Sequence, residues 1–275
     1  MNLAVGLKRW LLTLGFSAGA LDSLRARVYA MGLRAYDDRL RGDASLAAIC
    51  REVQDYGSLA SHSAYRTTAG EEITTRHLQI QLALIVRAIR RRLANALAPS
   101  DTVIDIGDPD GMILSLTARR GISVNLMSVC VAQVKRMGGV ALQADLERLP
   151  FADDSIDYVI CCETIEHLEN PIRGLKELAR VARKGIFVSI PHVERTTIHR
   201  DNYQPGAPEP ENHVFEFSKE DFGRVITHAR LKIQSYETLE IFPRISNPIR
   251  YGILKALYFP LMFPRFQFIH LVKDR

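Results

Sequence analysis

A change of pattern at Pro99 constrains the fold more than any other feature of the sequence. After this residue, short apolar runs of strand length alternate with segments of helical periodicity. The first five runs are 102–107, 122–126, 140–144, 156–161 and 186–190. Strands that alternate with helices are typical of a doubly wound α/β sheet with parallel strands. Two later runs, 232–241 and 266–271, predict an antiparallel last strand, so we expect a seven-stranded, mostly parallel sheet.

The first 98 residues are predicted to form a helical extension in front of the sheet domain, which covers 99–275. Their best helix covers 77–97, where aliphatic residues recur at spacings of three and four and mark one apolar face. Four arginines lie towards its end, at Arg87, Arg90, Arg91 and Arg92. We interpret them as a solvated face that complements the helix dipole, with an RNA contact as the less favoured alternative. The extension is expected to act as a lid or as a docking region for a partner.

Charge and cysteine usage narrow the classes of function. The net charge of +5 over 275 residues is a mild bias, which argues against a nucleic-acid partner. The four cysteines show no paired spacing of a disulfide framework or a zinc site, which favours a reducing, cytoplasmic compartment. The apolar stretch 10–20 follows Lys8 and Arg9 as in a signal peptide, but its helical continuation favours an amphipathic helix.

A second apolar stretch forms a predicted insertion near 247–263, before the last strand. Lys255 and Pro260 interrupt it, and it is too short to cross a bilayer. We interpret it as a core helix, with two alternatives: a wall of an apolar acceptor pocket, or a peripheral membrane contact that would make the cytoplasmic protein membrane-associated.

The loop after the first predicted strand limits the ligand. It reads Asp105-Ile-Gly107-Asp108-Pro109-Asp110-Gly111, and its glycines permit a close approach of the backbone to a ligand. A pyrophosphate needs free amides at the following helix, whereas Pro109 has none and two acids add negative charge. A ligand with an ammonium and a sulfonium suits this loop better, which favours S-adenosylmethionine over a dinucleotide.

Two segments carry a family resemblance. The stretch 103–111 and the nearly gap-free stretch 145–171 resemble the class I S-adenosylmethionine-dependent methyltransferases of the type 11 group. The stretch 213–222, His-Val-Phe-Glu-Phe-Ser-Lys-Glu-Asp-Phe, resembles a downstream signature of the same group. The resemblance covers roughly 101–240 and implies a Rossmann-like methyltransferase fold.

The resemblance also implies roles for individual residues. An acid at Asp105 would organise the methionine part of the cofactor, Asp145 would accept a hydrogen bond from the adenine amino group, and Leu146 would offer its backbone amide. The implied cofactor-binding residues are Asp105, Gly107, Asp108, Gly111, Asn125, Asp145, Leu146 and Glu163.

Two departures from the group concern the cofactor. Pro109 stands where the group has glycine, and no acid follows the second strand, where the group has one for the ribose hydroxyls. Asn125 takes that place if about three residues are deleted upstream, and Ser128 takes it otherwise. Neither is a charged acceptor, so a contact of about 1.5–3 kcal/mol could weaken to about 0.5–1.5 kcal/mol.

The segment after the fourth predicted strand contains the candidate chemistry. Glu163, Glu166 and His167 share one face if a helical turn begins there, and two carboxylates with an imidazole suit a divalent metal. This Glu-x-x-Glu-His pattern is similar to that of ubiquinone-pathway O-methyltransferases and of small-RNA 2′-O-methyltransferases, in which a later histidine completes the site. His213 is the candidate for that ligand, and magnesium is one candidate ion. A hydrogen-bonded cluster without metal is the alternative.

The catalytic candidates are Glu163, His167 and His192, of which His192 follows the fifth strand as a candidate base. The sequence therefore predicts a methyltransferase that acts on a small-molecule acceptor, at oxygen, with a quinone or lipid-like acceptor as one class. One alternative is a metal-dependent RNA 2′-O-methyltransferase. Another is a catalytically silent protein that binds S-adenosylmethionine or acts as a scaffold.

Overall fold

The computed structural model describes residues 18–56, 71–118, 120–198, 213–241 and 265–274. Its helices are α1 Ala18–Gly42, α2 Ala44–Asp55, α3 Glu71–Leu93, α4 Met112–Thr117, α5 Ser128–Arg136, α6 Pro171–Val181 and α7 Lys219–His228, with a 3₁₀ turn at Ile165–His167. Its strands are β1 Val103–Ile106, β2 Ile122–Asn125, β3 Ala141–Gln143, β4 Ile156–Cys162, β5 Ala182–Pro191, β6 Thr197–Ile198, β7 Phe215–Glu216, β8 Leu231–Glu240 and β9 Arg265–Lys273.

Seven of these strands form one sheet in the order β3-β2-β1-β4-β5-β9-β8. The first five strands of this order are parallel, and β9 lies antiparallel between β5 and β8. The predicted sheet, with its antiparallel last strand, is confirmed. The two-stranded β6–β7 sheet has no counterpart in the sequence prediction, since each strand has only two residues.

Some element limits differ from the prediction. The sixth helix ends at Val181, and β5 begins at Ala182 rather than at 186. Arg183 donates to the buried carboxylate of Asp157, and Lys184 pairs with Asp101, so these two residues are held in extended conformation beside β4. Helix α3 begins at Glu71 and ends at Leu93, earlier than the predicted 77–97.

The sheet has a buried layer on each face. Residues of α2, α3 and α4 pack on one face with Tyr158, Ile160 and Phe187, whereas residues of α6 and α7 pack on the other face with Val159 and Val188. Successive side chains of a strand point to opposite faces, which explains the alternation along β4. Part of the 1–98 segment therefore shares a core with the sheet, and the division at residue 98 stays a prediction.

The arginines of α3 bind acids and rings of the same chain. Arg87 pairs with Asp43 at 2.5 Å, and Arg90 makes two hydrogen bonds to Glu52. Arg91 donates to Glu237 of β8 at 2.9 Å, and the guanidinium of Arg92 lies 4.9 Å from the ring centroid of Phe268. These pairs attach α3 to α2 and to the sheet, which removes much of the positive charge that an RNA contact would use.

No helix within the described ranges is long and apolar enough to cross a membrane. Residues 10–17 of the stretch 10–20, the proline-rich loop 201–211 and the insertion 247–263 lie outside the described residues, and so do the side chains of 18–29 and 71–74.

Candidate active site at the carboxyl edge of the sheet

The predicted site residues gather where the parallel strands end. Asp105 is the third residue of β1, Asn125 is the last residue of β2, Glu163 directly follows β4, and His192 directly follows β5. Ligands of doubly wound sheets bind outside this edge, near the point where the strand order reverses. Here that point lies between β1 and β4, which are neighbours in the sheet.

The loop after β1 is shaped by two left-handed glycines and two acids. Gly107 has φ +93° and Gly111 has φ +77°. Asp108 accepts a hydrogen bond from the Ile113 amide at 2.7 Å, and Asp110 accepts one from the Met112 amide at 3.0 Å. The acids therefore occupy free amides at the start of α4, which would otherwise attract a phosphate. The geometry agrees with the predicted exclusion of a pyrophosphate.

Asp105 is fully buried beneath this loop. Burial and the neighbouring Asp108 raise the pKa of its carboxyl well above the usual range. Neither of its carboxylate oxygens has a hydrogen-bond partner of ordinary geometry among the described residues. A nearby cation would offset the cost of ionising such a buried acid, so the position fits the positively charged methionine part of the cofactor.

The β2 end is held by hydrogen bonds within the chain. The side-chain amide of Asn125 donates to the carbonyl oxygens of Gly107 at 3.1 Å and Asp108 at 3.4 Å, while its oxygen accepts from the Met127 amide at 2.9 Å. Ser128, the alternative ribose residue, is exposed at the start of α5. Just beyond β2, the apolar side chains of Leu126 and Met127 are 59% and 37% exposed, and neither was predicted as a site residue.

The β3 end contributes Asp145 and Leu146. Asp145 is exposed, and one of its oxygens accepts a hydrogen bond from the Glu147 amide at 2.9 Å. The Leu146 side chain is buried among residues of the α6 face. Both lie just beyond β3, at the same edge as Asn125, so the order of the adenine-side candidates agrees with the sheet order.

Glu163 lies in a strained conformation between β4 and β5. Its φ is +50°, and such values in residues other than glycine concentrate at functional sites. Ser189 of β5 donates its hydroxyl to the Glu163 carboxylate at 2.5 Å. Burial, followed by the charge of Glu166, raises the pKa of Glu163 well above its usual range. Ser189 was not among the predicted site residues, because nothing in its sequence context distinguishes it from a core serine.

A second cluster joins Glu166, His167 and His213. One ligand atom from each lies within 4.8 Å of the others, and the two imidazole rings meet edge to face at 4.9 Å. Glu166 is 1% exposed, and its carboxylate oxygens have no hydrogen-bond partner among the described residues. Burial raises its pKa to about 7, although His213 acts in the opposite direction.

Glu163 does not belong to this cluster, so the predicted four-residue metal set becomes a set of three. The physical reason is the hydrogen bond to Ser189, which turns the Glu163 carboxylate towards β5. Glu216 is not a member of this set, but its carboxylate lies 3.4 Å from Nδ1 of His213 and helps to orient that ring. Its signal in the sequence is the spacing of three from His213, within the His-Val-Phe-Glu stretch.

His192 is separate from both clusters. Its side chain is 12% exposed, and Nε2 lies 3.8 Å from the carboxylate of Glu194. Burial, together with the charge of Arg265, lowers the pKa of its imidazole. The imidazole is therefore neutral near pH 7, which is the state that a general base requires.

Comparison with known proteins shows what part of this chain is similar to. Residues 104–190 match the family model described as a methyltransferase domain. A probable S-adenosylmethionine-dependent methyltransferase of Mycobacterium tuberculosis is 29% identical over 150 residues, which cover 52% of this chain and 53% of the relative. The chain thus spans about half the length of the curated relatives it matches.

Two solved structures have the same fold at low sequence identity. One is a chain from the complex that contains the Haloferax volcanii Trm112 methyltransferase activator, with a TM-score of 0.53, 17% identity, and coverage of 71% of this chain and 91% of that one. The other is the 4+2 cyclase SpnF, with a TM-score of 0.53, 15% identity, and coverage of 71% and 82%. Residues 104–190 therefore resemble a methyltransferase domain, and the chain shares its fold with these two solved structures.

Proposed function

We propose that this protein transfers a methyl group from S-adenosylmethionine to a small-molecule acceptor. The observation that carries the proposal is the buried, unpartnered carboxyl group of Asp105 under a loop whose amides are already capped by acids. Negative charge at this edge attracts an ammonium and a sulfonium and repels a pyrophosphate. The cofactor supplies the methyl group, and the residues of the chain hold it, exclude water and handle the proton of the acceptor.

Asp105, with Gly107 and Gly111, would hold the methionine part, and the edge formed by Asn125, Asp145 and Leu146 would hold the adenosine. Because burial raises the pKa of Asp105, a cation that binds beside it would lower that pKa, and binding should release protons. Proton release is therefore a signature of this site that a merely apolar pocket would lack.

The acceptor is proposed to be an oxygen nucleophile. His192 is neutral near pH 7, so it can accept a proton from a hydroxyl that is placed beside it, and Glu163, which Ser189 holds in place, would orient that hydroxyl. An apolar acceptor and a peripheral membrane contact remain proposals that rest on the sequence of 247–263.

A divalent metal is a second element of the proposal. Glu166, His167 and His213 offer one carboxylate and two imidazoles, a set that suits Mn²⁺, Fe²⁺ or Zn²⁺ better than Mg²⁺, which prefers oxygen ligands. Such a site also favours the RNA 2′-O-methyltransferase as a second candidate function. The pairing of the α3 arginines with acids and a ring weighs against that candidate.

The first experiment is isothermal titration with S-adenosylmethionine in two buffers of different ionisation enthalpy. We expect micromolar binding with net proton release. Asp105→Ala should weaken binding and abolish the release, whereas the exposed Glu194→Gln should change neither. No binding at millimolar ligand would contradict the enzyme and favour the scaffold, and binding without acceptor turnover would favour a silent cofactor-binding protein.

The metal is tested separately by titration with Mn²⁺, followed by paramagnetic resonance of the free ion. We expect about one ion per chain, and loss of binding in Glu166→Gln and His213→Gln with retention in Glu194→Gln. If the wild-type protein leaves the Mn²⁺ signal unchanged, and Zn²⁺ does not bind either, the cluster acts as a hydrogen-bonded group without metal.

A further inference from the structure

Asn125 has a hydrogen-bond pattern that only an amide can satisfy. Its oxygen accepts from the Met127 backbone amide at 2.9 Å, which fixes the orientation of the group. Its nitrogen must then face the carbonyl oxygens of Gly107 and Asp108, at 3.1 and 3.4 Å. A flipped amide would place an oxygen against two carbonyl oxygens and a nitrogen against an N–H, so the assignment is unambiguous.

These bonds attach the loop after β1 to the end of β2. Further attachments are the Gly107 amide on the Val124 carbonyl at 2.9 Å and the Tyr56 hydroxyl on the Asp110 carbonyl at 3.2 Å. Pro109 cannot donate a hydrogen bond, so the loop has one amide fewer with which to hold itself. Asn125 is 8% exposed, and its amide nitrogen donates to the carbonyls of two successive peptides, those of Gly107 and Asp108.

We propose that Asn125 is a positioning residue that fastens the cofactor loop to β2, and that the ribose is bound without a carboxylate at this place. The inference rests on the proposed function. It reverses the expectation from the family pattern, in which an acid here would improve binding. In this chain, an ionised carboxylate in place of the Asn125 amide would direct acceptor oxygens at two carbonyls and release the loop.

The decisive variant is Asn125→Asp, measured as the dissociation constant of S-adenosylhomocysteine at 15 °C, well below unfolding. At pH 7.5, we expect binding about ten- to a hundredfold weaker than in the wild type, because two buried acceptors lose their donor and face a charge. At pH 5.5, the dissociation constant of the variant divided by that of the wild type should be several-fold smaller than at pH 7.5, because a protonated carboxyl group can again donate to a carbonyl. Asn125→Ala should show a smaller loss with the same ratio at both pH values.

The acids that face this loop are Asp105, Asp108 and Asp110, with the Cys130 thiol of α5 and the Tyr56 hydroxyl also close to the acids. All of them are present in the wild type, so the ratio between variant and wild type isolates position 125. Gln133→Glu on the exposed side of α5 makes the same change from amide to carboxylate outside the loop, and its ratio should stay near one at both pH values.

Each result distinguishes a positioning role of Asn125 from a ribose-binding role. Equal or tighter binding by Asn125→Asp at pH 7.5 would overturn the inference and restore the ribose role of position 125. A loss of affinity that does not depend on pH would also overturn it, since a general loss of structure predicts that result. If the wild-type protein does not bind the ligand, the proposed function fails, and the inference fails with it.

Discussion

Gly107 offers the sharpest test of the cofactor loop, because two separable effects exclude a side chain there. Its φ of +93° disfavours any residue with a Cβ. A Cβ would also lie 2.9 Å from Cγ2 of Thr164 and closer still to its hydroxyl oxygen. That hydroxyl donates a hydrogen bond to the Cys162 carbonyl at 2.9 Å, so it cannot turn away without losing this bond.

The two effects have known sizes. The left-handed backbone costs about 1–2 kcal/mol, and the forced shift of Thr164 adds about 1–3 kcal/mol. Gly107→Ala should therefore lower the unfolding free energy by about 2–5 kcal/mol, or the Tm by about 4–20 °C for a chain of this size. The same shift displaces the loop that is proposed to hold the cofactor, so S-adenosylhomocysteine should bind at least about tenfold more weakly.

Gly138 is a matched control within the same chain. Its φ is +82°, but a Cβ there meets nothing within 4 Å, so Gly138→Ala measures the backbone cost alone. Thermal unfolding and ligand titration of both variants separate strain from clash. Thr164→Ala in the Gly107→Ala background should recover only the part of the unfolding free energy that the steric clash removes. The reasoning is refuted if Gly107→Ala is no less stable than Gly138→Ala, or if removal of the Thr164 side chain recovers nothing.

Three further predictions concern the framework of the site. Burial raises the pKa of Asp157, but hydrogen bonds from neighbours such as Arg183 outweigh it and bring the pKa to about 2. A depressed carboxyl pKa contributes stability that is present above about pH 4 and lost as the pH falls towards 2, so Asp157→Asn should destabilise at pH 6 and barely at pH 2 in urea titrations. Arg90→Met should lower the unfolding free energy by about 1 kcal/mol, because the half-exposed pair with Glu52 and a bond to a backbone carbonyl are lost, and high salt should narrow the difference. Cys161 and Cys162 are buried and their thiol pKa values are raised, so a thiol reagent should modify them only when the protein unfolds. Mass spectrometry that finds a label on either cysteine of the native protein would contradict this prediction.

The sheet could be predicted because each strand carries its own local signal. The runs that became β1, β4 and β5 are mostly apolar on both faces, as expected for strands that are covered on both sides. Glycines and prolines between the runs mark where the strands end. The limits of β5 were missed at its start, because the extended conformation of Arg183 and Lys184 is imposed by acids more than 20 residues away in the sequence.

The site could be predicted only in part, because a role depends on which partner a side chain finds. The spacing of Glu163 and Glu166 placed both on one helical face, but the turn that forms is a 3₁₀ turn that begins at Ile165, after Glu163. Glu163 turns to Ser189 of another strand, and Glu166 turns to a histidine 47 positions later. The pairing of Glu163 with Ser189 leaves no trace in local spacing, and the pairing of Glu166 with His213 was indicated only by the family resemblance.

The loop after β1 shows how the pieces depend on one another. In a glycine-rich loop, backbone amides hold the ligand and the loop needs little support from outside. Here Pro109 removes an amide and two acids occupy others, so the loop is held from three sides. Asn125 of β2 donates to its carbonyls, the Thr164 hydroxyl donates to the Ile106 carbonyl just before Gly107, and Tyr56 at the end of α2 donates to the Asp110 carbonyl. The Tyr56 contact means that the helical N-terminal region reaches the cofactor loop directly. A cofactor that binds this loop would therefore stabilise the packing of α2 on the sheet, and a change in that packing would alter cofactor affinity by the same free energy.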